Sequence, residues 1–226
     1  HLWRWTGKWA AELEDGEFMK QCFVKGFDSL CDYFRVRSVR TGWDFMSNEI
    51  MQILESLGLR TDFSALPGIK YQEGEHGIRC DWIGAPTTFY FPSRKDYRRP
   101  AVEACFNVLE MPITLTKTPR PVRWFHLFAD RCRKAQRWGT PYEAMNFAKH
   151  PIFNWNGFDR VFTEDEHTKY VLSYFHPSDV ASAGIFSIEY LENNIKYLLT
   201  RCREQKRQLI TMTATEAAEH YLGVHR

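Results

Sequence analysis

Residues 38–64 read SVRTGWDFMSNEIMQILESLGLRTDFS, and this stretch decides the fold. A β-favouring run at 38–41 is followed by Ile50, Ile53, Leu54 and Leu57, an apolar stripe at helical spacing. Ser47 is placed to cap the start of that helix, and Gly58 lies just past its last turn. A second β-favouring run at 60–64 follows at once. Strand, helix and strand in this order predict two parallel strands joined by a crossover helix.

The same reading extends along the chain. Phe23, Phe27, Leu30 and Phe34 predict a helix over 17–35, and Ile188, Leu191, Ile195, Leu198 and Cys202 predict another. Thr213 and Glu216 have capping-box spacing and announce a final short helix through Ala217, Ala218 and Tyr221. Further β-favouring runs lie at 108–115, 169–175 and 208–212. Strands and helices mostly alternate, so the expected class is α/β, with functional residues just after strand ends as in a barrel of βα units. Two stretches, 67–100 and 116–159, fit neither pattern; loops that long usually serve function or carry small elements of their own.

Composition narrows the function classes. A chain of 226 residues, 44% hydrophobic and 26% charged, suits one large globular domain over 1–226. No run approaches the ~18 apolar residues of a membrane span. Thirty basic against 28 acidic side chains leave a net charge of +2, too balanced for the footprint of nucleic-acid binding. Aromatic residues reach 15%, with eight Trp, which suits sugar rings stacking on flat side chains and equally suits core packing. Cys22, Cys31, Cys80, Cys105, Cys132 and Cys202 show neither zinc-knuckle nor disulfide-scaffold spacing, so reduced thiols and a cytoplasmic location are expected. The chain opens at His1 without an initiator Met or signal peptide. There is no phosphate-binding Gly-rich loop, no Gly-x-Ser-x-Gly elbow and no His-Glu-x-x-His.

Four blocks together resemble polysaccharide deacetylases of the NodB-homology type, carbohydrate esterase family 4. They are Val39-Arg40-Thr41-Gly42-Trp43, Gly58-Leu59-Arg60-Thr61-Asp62-Phe63-Ser64, Leu109-Glu110-Met111-Pro112-Ile113-Thr114 and Tyr174-Phe175-His176-Pro177. The opening His1-Leu2-Trp3-Arg4-Trp5 is similar to the tail of that family's early metal motif. The resemblance implies a distorted (β/α) barrel that hydrolyses the N-acetyl group of an amino sugar with a divalent metal, zinc above others. The substrate class it implies is a bacterial surface polysaccharide or its precursor, such as an O-antigen sugar. The family's first strand carries paired aspartates that nothing before His1 supplies, so the domain is expected to lack that strand. The other reading is a catalytically inactive, deacetylase-like domain that binds glycan or joins a complex.

In that reading His1 is a metal ligand and His176 is the general acid, since imidazole titrates near neutral pH and can protonate a departing amine. Asp62 orients and charge-tunes His176, with a turn aspartate bonding its own backbone as the competing role. Arg40 anchors the base carboxylate of the first strand, with a surface ion pair as its competitor. Trp43, Trp82 and Tyr90 are candidates to wall a sugar site, and core packing competes for each. A copper brace at His1 would need a β-sandwich, which the helical stripes disfavour.

Overall fold

The computed structural model of the 226-residue chain describes residues 15–73, 78–118, 120–121, 124, 136–138, 142–163, 169–181, 184 and 186–224. In chain order its elements are α1 (Gly16–Cys31), β1 (Ser38–Val39), a 3-10 turn (Gly42–Asp44), α2 (Asn48–Ser56), β2 (Thr61–Asp62), β3 (Lys70–Glu73), β4 (Ile78–Asp81) and β5 (Leu109–Glu110). There follow β6 (Leu115–Lys117), β7 (Gln136–Trp138), β8 (Tyr142–Ala144), α3 (Pro151–Thr163), α4 (Pro177–Ala181), α5 (Ile188–Glu204) and α6 (Ala214–Val224). The protein is mixed α/β and packs as two compact units.

The first unit takes in the described residues up to 112, together with β7 and α6. At its centre β1, β2 and β5 form a parallel sheet in the order β1-β2-β5. The crossover between β1 and β2 is the helix that the sequence predicts. Ser47 Oγ accepts from the Ile50 N–H at 3.2 Å, and Gly58 leaves the helix with a φ of +73°. Ile50, Met51, Ile53 and Leu54 are buried, and α1 packs on this helix with Met19 and Phe23 inside. The α1 helix stops at Cys31, short of the expected end, and Leu30 and Phe34 are exposed, so only the N-terminal part of that stripe faces a core.

The stretch at 67–100 carries elements that its Gly and Pro content hides. β3 pairs antiparallel with β4, and β7 joins the other edge of β3. Beyond β4 the long loop to β5 is tied to α2 by side chains. Asn48 donates to the Lys95 carbonyl at 3.0 Å and accepts the Tyr97 N–H at 2.9 Å. Both oxygens of Glu55 grip Arg94, at 2.9 and 2.8 Å, and Oε1 also takes the Asn107 N–H at 2.7 Å.

The expected strand at 108–115 is two strands in two sheets. β5 belongs to the first unit, whereas β6 pairs antiparallel with β8 in the second. Pro112 lies between them and has no N–H to continue a ladder. In the second unit α3 packs on β6 and α5, around Met145, Phe158, Leu198 and Cys202. The expected strand at 169–175 is irregular. Leu172 donates its N–H to Thr114 Oγ1 at 2.9 Å, and Ser173 Oγ both donates to the Met145 carbonyl and accepts the Phe147 N–H, each at 3.1 Å. Side-chain hydroxyls there alternate with two backbone bonds, Thr114 N–H to the Leu172 carbonyl at 3.0 Å and Tyr174 N–H to the Met145 carbonyl at 3.5 Å, instead of a regular ladder. The run at 208–212 is mostly exposed and forms no strand, because β-favouring residues need a partner and a core face to express that preference.

No helix among the described residues is long and apolar enough to cross a membrane. Cys22, Cys31, Cys80, Cys105 and Cys202 are free thiols, as expected; Cys132 lies outside the described residues.

Candidate functional site

Parallel strands end on a common edge, and whatever follows them in sequence gathers there. In the first unit Arg40 and Thr41 follow β1, Phe63 and Ser64 follow β2, and Met111 follows β5. The register sets Val39 beside Asp62, and Asp62 beside Glu110. Two carboxyl side chains therefore stand next to each other on adjacent strands, both with no exposed surface.

Their surroundings differ. Asp62 Oδ1 accepts the Ser64 hydroxyl at 2.8 Å and Oδ2 accepts the Ser64 N–H at 3.1 Å. Ser64 Oγ is in turn held by the N–H and the hydroxyl of Thr41, at 2.9 and 2.8 Å. Glu110 Oε1 accepts the Ala65 N–H at 3.1 Å, whereas Oε2 is buried and no donor reaches it. Among the described residues no Lys, Arg or His forms an ion pair with either carboxyl. Burial pushes Asp62 above the usual carboxylate range, opposed by the neighbouring Glu110 carboxyl and by the hydrogen bonds from Ser64. Burial raises Glu110 much further, and the adjacent Asp62 charge adds to it. Tyr90 bridges to Glu110 backbone to backbone, and its hydroxyl donates to the Tyr97 carbonyl at 3.1 Å.

Arg40 lies at the same edge and pairs with Asp44 at 2.6 Å, with both side chains partly buried. Asp44 is a non-glycine residue at a φ of +53°, and its carbonyl accepts the Trp82 indole N–H at 2.9 Å. The ion pair that competes with the anchoring role of Arg40 is thus present, although with a partner held in left-handed backbone rather than on an open surface. Asp62 likewise forms the turn contact to Ser64. Among the described residues its side-chain hydrogen bonds come from Ser64 and none comes from a histidine.

Trp82 has no exposed surface and meets Tyr97 edge-on at 5.0 Å, and Tyr90 is 6% exposed. As candidates for walling a sugar site both are corrected to core residues, because apolar burial and their hydrogen bonds leave no open ring face. Trp43 lies in the 3-10 turn, with its side chain outside the described set, and His1 is outside it altogether. Among the described residues no three His, Cys, Asp or Glu side chains converge as a metal site.

His176 belongs to the second unit. Its ring is exposed and lies edge-on to Tyr174 at 5.8 Å. Asp179 fixes the backbone here: Oδ2 accepts the His176 N–H at 2.9 Å and the Asn146 amide at 2.9 Å, while the Asp179 N–H donates to the His176 carbonyl at 2.8 Å. Pro177 opens α4 directly after it, the position where a proline best suits a helix.

Sequence reasoning gives Glu110 and Asp44 no role. For Glu110 a signal exists: it is a lone charge inside the apolar run Val108-Leu109-Glu110-Met111, where a buried carboxyl is the costly exception. Compared with known protein families, curated proteins and solved structures, the chain matches none.

Proposed function

We propose that the protein is an N-deacetylase of amino sugars, acting on a bacterial surface polysaccharide or its precursor. The observation that supports this reading most is the strand-end edge of the parallel sheet, where Arg40, just after β1, and Asp62, at the end of β2, fall in the two motif blocks that resemble NodB-type enzymes. The reading implies a distorted (β/α) barrel, a divalent metal with His1 among its ligands, and a cytoplasmic site of action. His176 is its general acid: exposed, and held by Asp179 through its own backbone. Asp62 is its buried orienting carboxylate.

The test is acetate release by the full-length protein from a panel of N-acetyl sugars and their nucleotide- and lipid-linked forms, with and without chelator. The expected result is chelator-sensitive turnover that His176→Ala lowers by roughly 10²–10⁴, the usual contribution of a positioned acid. An unaffected His176→Ala variant or chelator-insensitive turnover would overturn the mechanism. Binding of a panel sugar without any turnover would favour an inactive, glycan-binding domain.

A further inference from the structure

Asp62 and Glu110 pose a problem that hydrogen-bond geometry alone states. Two carboxyls lie on paired residues of adjacent strands, fully buried, within reach of each other and without a cation among the described residues. An ionised carboxylate only accepts hydrogen bonds, so two of them would face acceptor to acceptor in a low dielectric. The donors are distributed unevenly: both Asp62 oxygens are served by Ser64, whereas Glu110 has one donor and one orphaned oxygen. The geometry points to Glu110 as a positioning residue that keeps a hydrogen on its orphaned Oε2 side and gives it to Asp62, so that Asp62 alone carries the pair's negative charge.

Glu110 fills this part by its place in the fold. It sits in a strand of two residues, with its backbone N–H and carbonyl both taken by Tyr90, at 2.9 and 3.1 Å, and its fully buried side chain is held through Oε1 by the Ala65 N–H. The groups facing the pair are Ser64 from the β2 side and Tyr90 from the loop before β5, with Tyr97 and Asp96 near Tyr90. The Tyr90 hydroxyl is pushed up by burial above all, so it stays neutral, and its hydrogen goes to the Tyr97 carbonyl rather than to the pair. The Asp62 anion is then held by three donors, the Ser64 N–H, the Ser64 hydroxyl and the Glu110 hydrogen, which fix both its charge and its orientation.

The catalytic consequence rests on the deacetylase reading; the shared hydrogen does not. Infrared difference spectra of the full-length protein at pH 7 should show the carbonyl stretch of a buried, protonated carboxylic acid, lost in Glu110→Gln. Absence of that band, or its persistence in Glu110→Gln, would overturn the proposal whether or not the protein releases acetate. Where acetate is released, Glu110→Gln should keep kcat within about threefold, because its amide still donates to Asp62 and its carbonyl still accepts from Ala65. Glu110→Leu, which fills the space without a donor, should lose roughly tenfold or more, the scale of one hydrogen bond to a charged group. Equal losses in the two variants would refute the positioning role, since rescue by Gln is what separates donation from mere packing.

Discussion

At the scale of single residues, the acid pair ties folding to pH with an uncommon sign. An unfolded glutamate releases its proton near pH ~4.3, whereas folded Glu110 holds it because burial and Asp62 disfavour the anion. Its folded value is raised, so its contribution is complete below the unfolded value and is lost progressively as pH rises toward the folded one. Asp62, also raised by burial, has the same sign. Asp96 has the opposite one: hydrogen-bonded by Arg98, it sits below the usual range, and its stabilisation is lost as pH falls. Comparison of wild type with Glu110→Gln isolates the glutamate. Denaturant titrations from pH 4 to 8 should show Glu110→Gln gaining on wild type as pH rises, by at most about 1.4 kcal/mol per pH unit for one proton. A constant difference across that range would mean that Glu110 ionises in the folded protein much as it does in the unfolded chain.

At the scale of elements, the clearest test is the crossover helix α2. Ser47→Ala removes the acceptor for the Ile50 N–H and should cost about 1 kcal/mol. Gly58→Ala has open space for its new methyl group, so its loss of roughly 1–2 kcal/mol should come from backbone conformation alone. Urea unfolding midpoints measure both; an unchanged Gly58→Ala midpoint would show that the left-handed turn is dispensable. Here the sequence is readable because cap, stripe and stop agree with one another. It is less readable at 169–176, where β propensity is real but Thr114 and Ser173 hydroxyls serve the backbone in place of a strand. Residues 116–159 hide α3, because its buried Pro151, Phe153, Asn154, Gly157 and Phe158 break the usual apolar repeat with an amide and a glycine. The candidate site is half legible for a related reason. Arg40 and Asp62 stand at strand ends, whereas the part played by Glu110 depends on which strand lies next to which, and that pairing joins residues distant in sequence.

At the scale of the whole molecule, among the described residues each unit holds one buried thiol that reports on it. Cys80 lies in the first unit and Cys202 in the second, while Cys31 and Cys105 are exposed. Burial, with help from Asp44 and Asp81, pushes the Cys80 thiol far up, so it is neither accessible nor ionised in the folded state. A maleimide pulse on the native protein should modify Cys31 and Cys105 within the time that leaves Cys80 and Cys202 untouched. Across a denaturant series, Cys80 should become reactive with the unfolding of the first unit and Cys202 with that of the second. Modification of Cys80 in the native protein as fast as that of Cys31 would contradict its burial.

The loop between β4 and β5 contains Arg94, Arg98 and Arg99 within six residues of sequence, which by composition invites trypsin. A protease must draw its target into an extended strand, and here Glu55 holds the Arg94 guanidinium, Asp96 holds that of Arg98, and Asn48 holds the backbone around them. Nicking at these sites is therefore governed by how often α2 releases the loop, and the length of the loop has little to do with it.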